Sequence, residues 1–142
     1  MTKGFSIIEI LIVMAILTII AGFVAGVGSN FYNNQALIGE RDSVIGLLRS
    51  ARTRAINNIN QASHGVYIGA SQYVAFDGES YAARKQDYDA VFPRSLGATI
   101  MGPSEIVFKA IEGTSNVSGT ITISSGIGSV TISLNGEGMV NW

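Results

Sequence analysis

The sequence predicts an α+β fold in which a long N-terminal helix packs on an antiparallel β-sheet. Two observations carry this prediction. An unbroken apolar run near the N-terminus leads into a segment whose apolar residues recur with helical spacing. Beyond residue 64, apolar and polar residues alternate instead, which is the pattern of half-buried strands. Helix first and strands afterwards favour a helix laid against one sheet.

Composition limits the classes of protein that the chain can represent. Its 142 residues predict one compact domain with an appended segment. Charged residues make up 13%, about half of the usual share, which indicates that part of the chain does not face water. The absence of cysteine and the single histidine exclude disulfide frameworks, thiolate zinc sites and sites that need two imidazoles. A net charge of -1 disfavours whole-chain attraction to nucleic acid.

The apolar run from residue 10 to residue 27 contains no charge and is long enough for a tilted membrane-spanning helix. A secretory signal peptide would have a shorter apolar core, basic residues in front and a small-x-small cleavage site behind. This run is longer and carries a carboxylate near its start, although the small residues between 21 and 28 keep that alternative open. Lys3 in front of the run predicts a cytoplasmic N-terminus, with the bulk of the chain outside.

Glu9 is the one charge between Phe5 and Tyr32. A carboxylate costs about 2.5–3.5 kcal/mol at the centre of a bilayer and less near the interface. Glu9 is therefore either solvated among lipid headgroups or paired with a cation. If the chain is cut before Phe5, a new amino group lies one helical turn from Glu9, on the same chain or on a neighbouring copy.

These residues resemble a known leader. Lys3 and Gly4, then Phe5, then Glu9 four positions later, then an unbroken apolar helix, resemble the class III leader of type IV pilins and type II secretion pseudopilins. The resemblance implies that a prepilin peptidase cleaves between Gly4 and Phe5 and methylates the amino group of Phe5, and that Glu9 is the assembly glutamate. It also implies that the partners are other pilin or pseudopilin subunits, the prepilin peptidase and an inner-membrane assembly platform.

The resulting organisation has four parts: a leader peptide over 1–4, a transmembrane and assembly helix over 5–29, an amphipathic second half of the helix over 30–60, and a β-rich domain over 61–142. As one nearly continuous helix, residues 5–58 would be about 80 Å long. We expect the asparagines near residue 58 to end it. Its apolar stripe is predicted from spacings of three, four and seven and comprises Leu37, Val44, Leu48, Ala51, Ala55 and Ile59. Charged residues 40–42, 49, 52 and 54 are expected to lie mostly off it.

The strands are predicted from alternation and turn residues. Residues 66–68 and 73–76 predict a hairpin, and residues 77–103 predict loop with one short strand. Further strands are predicted over 105–109, 119–124 and 129–134, with Asn135-Gly136 turning into a last strand through residue 140. The helix segment 48–56 and this order of C-terminal strands resemble the GspH/FimT group of pseudopilins.

Candidate metal ligands and catalytic groups are sparse. The acidic pairs Asp77/Glu79 and Asp87/Asp89 lack the spacing and ligand number of a calcium loop, so we expect solvated turn acids, no metal and no cofactor. His64 is expected to cap or follow the helix, and no residues supply a triad with it. We therefore predict that the chain is not an enzyme.

Arg49, Arg52 and Arg54 form a small basic cluster that can contact phosphate or an acidic neighbour. A solvated helix face is the favoured interpretation, because the three do not share one face. Some FimT-like proteins bind DNA through a basic C-terminal tail, whereas residues 136–142 here carry an acid. Nucleic acid is therefore disfavoured as a partner.

The sequence favours a structural subunit, a minor pseudopilin or pilin-like protein of a type II secretion or type IV pilus filament. Its expected location is the bacterial inner membrane, with one span and the C-terminal domain outside the cytoplasm, and then an extracytoplasmic filament. The alternatives are a DNA-binding minor pilin of DNA uptake and a major pilin subunit. An anchored enzyme or sensor is the weakest interpretation, because polar side chains able to do catalysis are few and unpaired.

Overall fold

The computed structural model describes residues 4–94, 97–126 and 128–142, with the backbone alone described over 25–33. Lys3 lies outside the described residues. The described residues form one long helix, α1 (Ile7–Ile56), followed by eight strands and two single 3₁₀ turns at Ile59–Gln61 and Gln86–Tyr88. The fold class is α+β, as the sequence predicts.

Helix α1 has 50 residues and is about 75 Å long. It ends at Ile56 with Asn57 as its C-cap, where asparagines were expected to end it. Asn58 and Asn60 adopt the left-handed conformation (φ 49° and 55°), which asparagine tolerates better than most residues because its side chain can bond locally to the backbone. The chain turns there into the first strand.

The strands form two four-stranded antiparallel sheets rather than the single predicted sheet. Sheet A has the order β3-β2-β1-β5 and sheet B the order β4-β6-β7-β8. The strands of sheet A are β1 (His64–Ile68), β2 (Gln72–Asp77), β3 (Ala90–Pro93) and β5 (Glu105–Phe108). Those of sheet B are β4 (Thr99–Met101), β6 (Gly119–Ser125), β7 (Gly128–Leu134) and β8 (Val140–Asn141).

The hairpin over residues 66–76 and the strands after residue 105 are confirmed. Residues 77–103 contain two short strands where one was predicted. β3 pairs with β2 and β4 pairs with β6, so the segment passes from one sheet to the other. Alternation identifies a strand but not its partner, because pairing depends on residues distant in sequence.

The core lies where the second half of α1 crosses both sheets. Val44, Leu48 and Ala55 are fully buried, and Leu37 and Ala51 nearly so, which confirms five of the six residues of the predicted stripe. They pack with Val66, Ile106 and Phe108 of sheet A and with buried residues of sheet B, which are Ile121, Ile123, Ile132 and Leu134.

The expectation that Ile59 belongs to the buried stripe is wrong. Ile59 is 42% exposed, because the helix ends before it and it sits on a 3₁₀ turn. Of the six charged residues expected to lie mostly off the stripe, Glu40 is the buried exception at 5% exposure, because Tyr73 and Arg94 of the sheet-A region lie against it.

Removal of residues 1–29 is expected to leave a soluble, folded domain. The exposed apolar stem is then gone, while the buried stripe of α1 remains covered by both sheets. Size-exclusion chromatography and thermal unfolding followed by circular dichroism would test this. Aggregation without a cooperative transition would contradict it.

Candidate assembly site and its supporting domain

The N-terminal stem presents apolar side chains to its surroundings along its whole described length. Residues Ile7–Val24 have a mean hydropathy of 2.8, and none of them is buried. By length and composition this is a segment able to cross a membrane. An apolar surface of this extent must be covered by lipid or by other protein chains.

Phe5 and Glu9 lie together at the start of the stem. Ser6 precedes the first helical turn, and its carbonyl accepts hydrogen bonds from the N–H groups of Glu9 and Ile10 at 3.0 and 3.2 Å. Phe5, Glu9, Ile10 and Val13 line one open recess, together with Met14. The predicted cleavage bond at Gly4–Phe5 is exposed, since both residues are on the surface. Of the predicted N-terminal site residues, Phe5 and Glu9 share this recess and Gly4 does not line it, and their roles stay predictions.

The three arginines of the second half of α1 have separate partners. The Arg49 guanidinium lies 4.2 Å from the centroid of the Trp142 ring. Arg52 donates to the carbonyls of Gly113 and Glu137 at 3.2 and 3.1 Å. Arg54 Nη2 donates to Asp77 at 3.3 Å. Each arginine therefore fastens a different part of the domain to α1.

Asp77 is the centre of a polar cluster at the distal end of α1. Its carboxylate accepts from Arg54 and from Asn60, and its Oδ1 lies 2.6 Å from His64 Nδ1. The other ring nitrogen of His64 donates to the Ile59 carbonyl at 2.9 Å, which agrees with a histidine that follows the helix. Asp77 is 1% exposed, so the expectation of a solvated turn acid is wrong for this residue. A buried carboxylate persists because polar contacts with Arg54, Asn60 and the His64 ring compensate for its lost hydration.

A second buried polar cluster lies at the stem-proximal end of the domain. Tyr73 donates its hydroxyl to Glu40 at 2.5 Å, and Arg94 Nε lies 3.8 Å from the same carboxylate oxygen. Burial, reinforced by the hydrogen bond to Glu40, raises the pKa of the Tyr73 hydroxyl well above its ordinary value. Arg94 also donates to the carbonyls of Gly69, Ala70 and Ala98. The cluster therefore ties α1 to the β1–β2 turn and to the segment before β4.

The remaining acidic residues hold no recognisable metal site. Among the described residues, no three His, Asp or Glu side chains are grouped as metal ligands. Asp89 pairs with Arg84 at 2.8 Å, and this contact raises the pKa of the Arg84 guanidinium. Ser63 donates to Glu79 at 3.1 Å. Glu79 and Asp89, which belong to the two acidic pairs considered as metal ligands, therefore make local contacts within the domain.

Sequence reasoning missed the roles of Glu40, Arg94 and Asp77. In the sequence, Glu40 looks like an ordinary charged residue on the polar face of an amphipathic helix. Asp77-Gly78 likewise looks like an exposed turn. The one available signal was the position of Glu40 next to the predicted apolar stripe, one turn from Leu37 and Val44.

The N-terminal residues match a known family model. Residues 1–25 match the family model of the prokaryotic N-terminal methylation motif. No curated protein and no solved structure matches the chain. The motif indicates a structural subunit of the type IV pilin or pseudopilin class, processed by prepilin peptidase and assembled with other pilin subunits. With the apolar stem, it points to membrane anchoring.

Glu40→Leu is expected to lower the free energy of unfolding by about 3–5 kcal/mol, because it leaves Arg94 buried without its carboxylate. Glu112→Leu is the matched control. Glu112 is half-exposed and paired with Lys109 at 2.8 Å, so its loss should lower the free energy of unfolding far less than the loss of Glu40. Denaturant unfolding of both variants in detergent measures the difference. Equal effects would show that the buried pair does not stabilise the domain.

Proposed function

We propose that this chain is a filament subunit of pilin type, a minor pseudopilin or pilin-like protein of a type II secretion or type IV pilus machine. It is inserted in the bacterial inner membrane by the stem, with its C-terminal domain outside the cytoplasm. The leader is residues 1–4, residues 5–29 are the membrane and assembly segment, residues 30–60 contain the second half of the helix, which ends at Ile56, and residues 61–142 form the β-rich domain. An inner-membrane assembly platform then moves the subunit into an extracytoplasmic filament.

The observation that carries this proposal is an uncovered apolar stem that lies within the residues matching a processing motif. None of the residues Ile7–Val24 is buried, and the motif spans residues 1–25. A membrane anchor alone needs only an apolar helix, whereas the motif adds a cleavage point and a modified terminus at its base. A stem that leaves lipid for a filament exchanges one apolar environment for another, which keeps the free-energy difference small.

Glu9 is the proposed register contact between stems. Surrounded by apolar stems, an unpaired carboxylate would cost several kcal/mol, and an amino group at Phe5 of a neighbouring subunit offsets much of that cost. Such a pair also selects one axial register on a surface of Ile, Leu and Val side chains that otherwise specifies none.

The domain contacts of the arginines support a structural role over DNA binding. Arg49, Arg52 and Arg54 bind Trp142, two backbone carbonyls and Asp77, respectively. Their partners point them in different directions, whereas binding to a phosphate backbone requires a continuous basic surface.

Processing is tested at the N-terminus. Mass spectrometry of the membrane-purified protein is expected to show a mature chain that begins at methylated Phe5. Gly4→Leu should block cleavage, because the peptidase must accept extended backbone with no side chain at that position. An intact Met1 terminus in assembled wild-type filaments would contradict the proposed class.

Glu9→Leu is expected to leave expression, membrane insertion and cleavage intact but to reduce entry into filaments. Its matched control is Thr18→Leu, which also replaces a polar stem residue. The Thr18 hydroxyl bonds to the Met14 carbonyl of its own helix at 2.6 Å, so it offers no charge to a neighbour. The test measures how much of each variant enters filaments together with wild-type chains. Extraction from the membrane fraction is the control that equal amounts of each variant are inserted. Equal incorporation of both variants would return Glu9 to the role of a solvated interfacial residue.

A further inference from the structure

The distal loop, residues 109–114, carries an exposed apolar side chain on strained backbone. Ile111 is 68% exposed and has φ 69°, a conformation that a β-branched residue rarely adopts. Its N–H donates to the carbonyl of Ala55 at 2.8 Å, so the loop is fixed to the C-terminal end of α1. Strained backbone of this kind is concentrated at functional positions. Most of this apolar side chain is therefore open to solvent.

The opposite end of the domain has a largely apolar recess, which suits an apolar side chain such as that of Ile111. The basal recess lies between Ser43, Gly46 and Leu47 of α1 and Tyr73, Phe92 and Pro93 of sheet A, with a volume of about 340 Å³. Phe92 and Pro93 belong to β3, the edge strand of sheet A, and form one side of the recess. Gly46 lies on the helix side, where the space around its Cα is open. The recess is larger than an isoleucine side chain.

One ion pair lies beside Ile111, and another lies beside the basal recess. Lys109 and Glu112 pair at 2.8 Å beside Ile111, with both side chains at least half exposed. Arg41 and Asp42 pair at 2.8 Å at the rim of the basal recess, where Asp42 is 57% exposed. Each end therefore carries one cation and one anion next to an apolar group. If the two ends meet, Lys109 can face Asp42 and Glu112 can face Arg41, so the charges are complementary.

We propose that Ile111 of one copy inserts into the basal recess of the next copy, with the flanking ion pairs exchanging partners across the contact. This inference rests on the proposed filament function and specifies a contact within the filament. Ile111 lies at the level of Ala55 and the recess at the level of residues 43–47, about 12–18 Å apart along α1. The contact joins different surfaces of two identical chains, and such head-to-tail contacts propagate without closing, as a filament requires.

The variant Ile111→Gly separates this contact from any role of Ile111 in folding. Glycine adopts positive φ without penalty, so the thermal transition of the variant should be unchanged or higher than that of the wild type. The yield of sedimentable filaments should nevertheless fall about tenfold, because the inserted side chain is lost. A variant that assembles as well as the wild type would overturn the proposal.

The sequence contains no cysteine, so introduced cysteines report contacts without background. Cells that express both Ile111→Cys and Ser43→Cys full-length chains should yield an oxidised dimer in the filament fraction. Neither variant alone should do so, because the contact is between different surfaces. Pairing Ile111→Cys with Ser129→Cys, an exposed position on sheet B, is the matched control and should give no dimer.

The outcomes distinguish this contact from the filament function. Filaments that form without the mixed dimer, or with equal dimer in the Ser129→Cys control, overturn the contact and leave the function standing. A cross-link from Ile111→Cys to a chain of different mass would show that the partner of Ile111 is another protein and not a second copy of this chain, which overturns the proposal. Wild-type chains that are cleaved but form no filaments overturn both proposals. Restored assembly when Arg41→Glu and Glu112→Arg are combined, after loss in each single variant, supports the charge exchange.

Discussion

The domain depends on the packing of the second half of α1 across two separate sheets. Val44, Leu48 and Ala55 have no exposed surface, and they contact a core contributed by both sheets. No strand is shared between the sheets in the described residues. Isolated helices gain little stability from propensity alone, so the helix and the sheets stabilise one another through buried apolar area. Neither sheet would retain a covered inner face without the helix.

The same helix meets two different environments along one continuous backbone. Its first part exposes every described side chain, and its second part buries a stripe that begins at Leu37. This explains why the chain has a low charged fraction although the domain itself carries several ion pairs. The apolar excess belongs to a surface that partners or lipid must cover, not to an enlarged core.

Much of the architecture follows from local sequence. The helix stripe, the end of the helix at the asparagines and most strands were predictable, because each depends on periodicity or on turn residues close in the chain. The division into two sheets was not, since β5 returns to β1 while β6 begins a new sheet. The order and spacing of Gly4, Phe5 and Glu9 predicted a processing motif, which the family match over residues 1–25 supports, while the roles of the individual residues stay predictions. Asp77 and Glu40 were not predictable as buried groups, because their partners His64, Arg54, Tyr73 and Arg94 come from other elements.

The two buried polar clusters have a mechanical consequence. Glu40 joins α1 to Arg94 where the stem enters the domain, and Arg54 joins α1 to Asp77 near the far end of the helix. Between them, the apolar stripe packs side by side along the helix axis. A pull on the stem therefore loads these contacts in shear, together rather than one after another. Under traction from the membrane, the domain would therefore travel with its stem as one rigid body, and the Glu40–Arg94 and Arg54–Asp77 pairs would share the load with the apolar stripe between them.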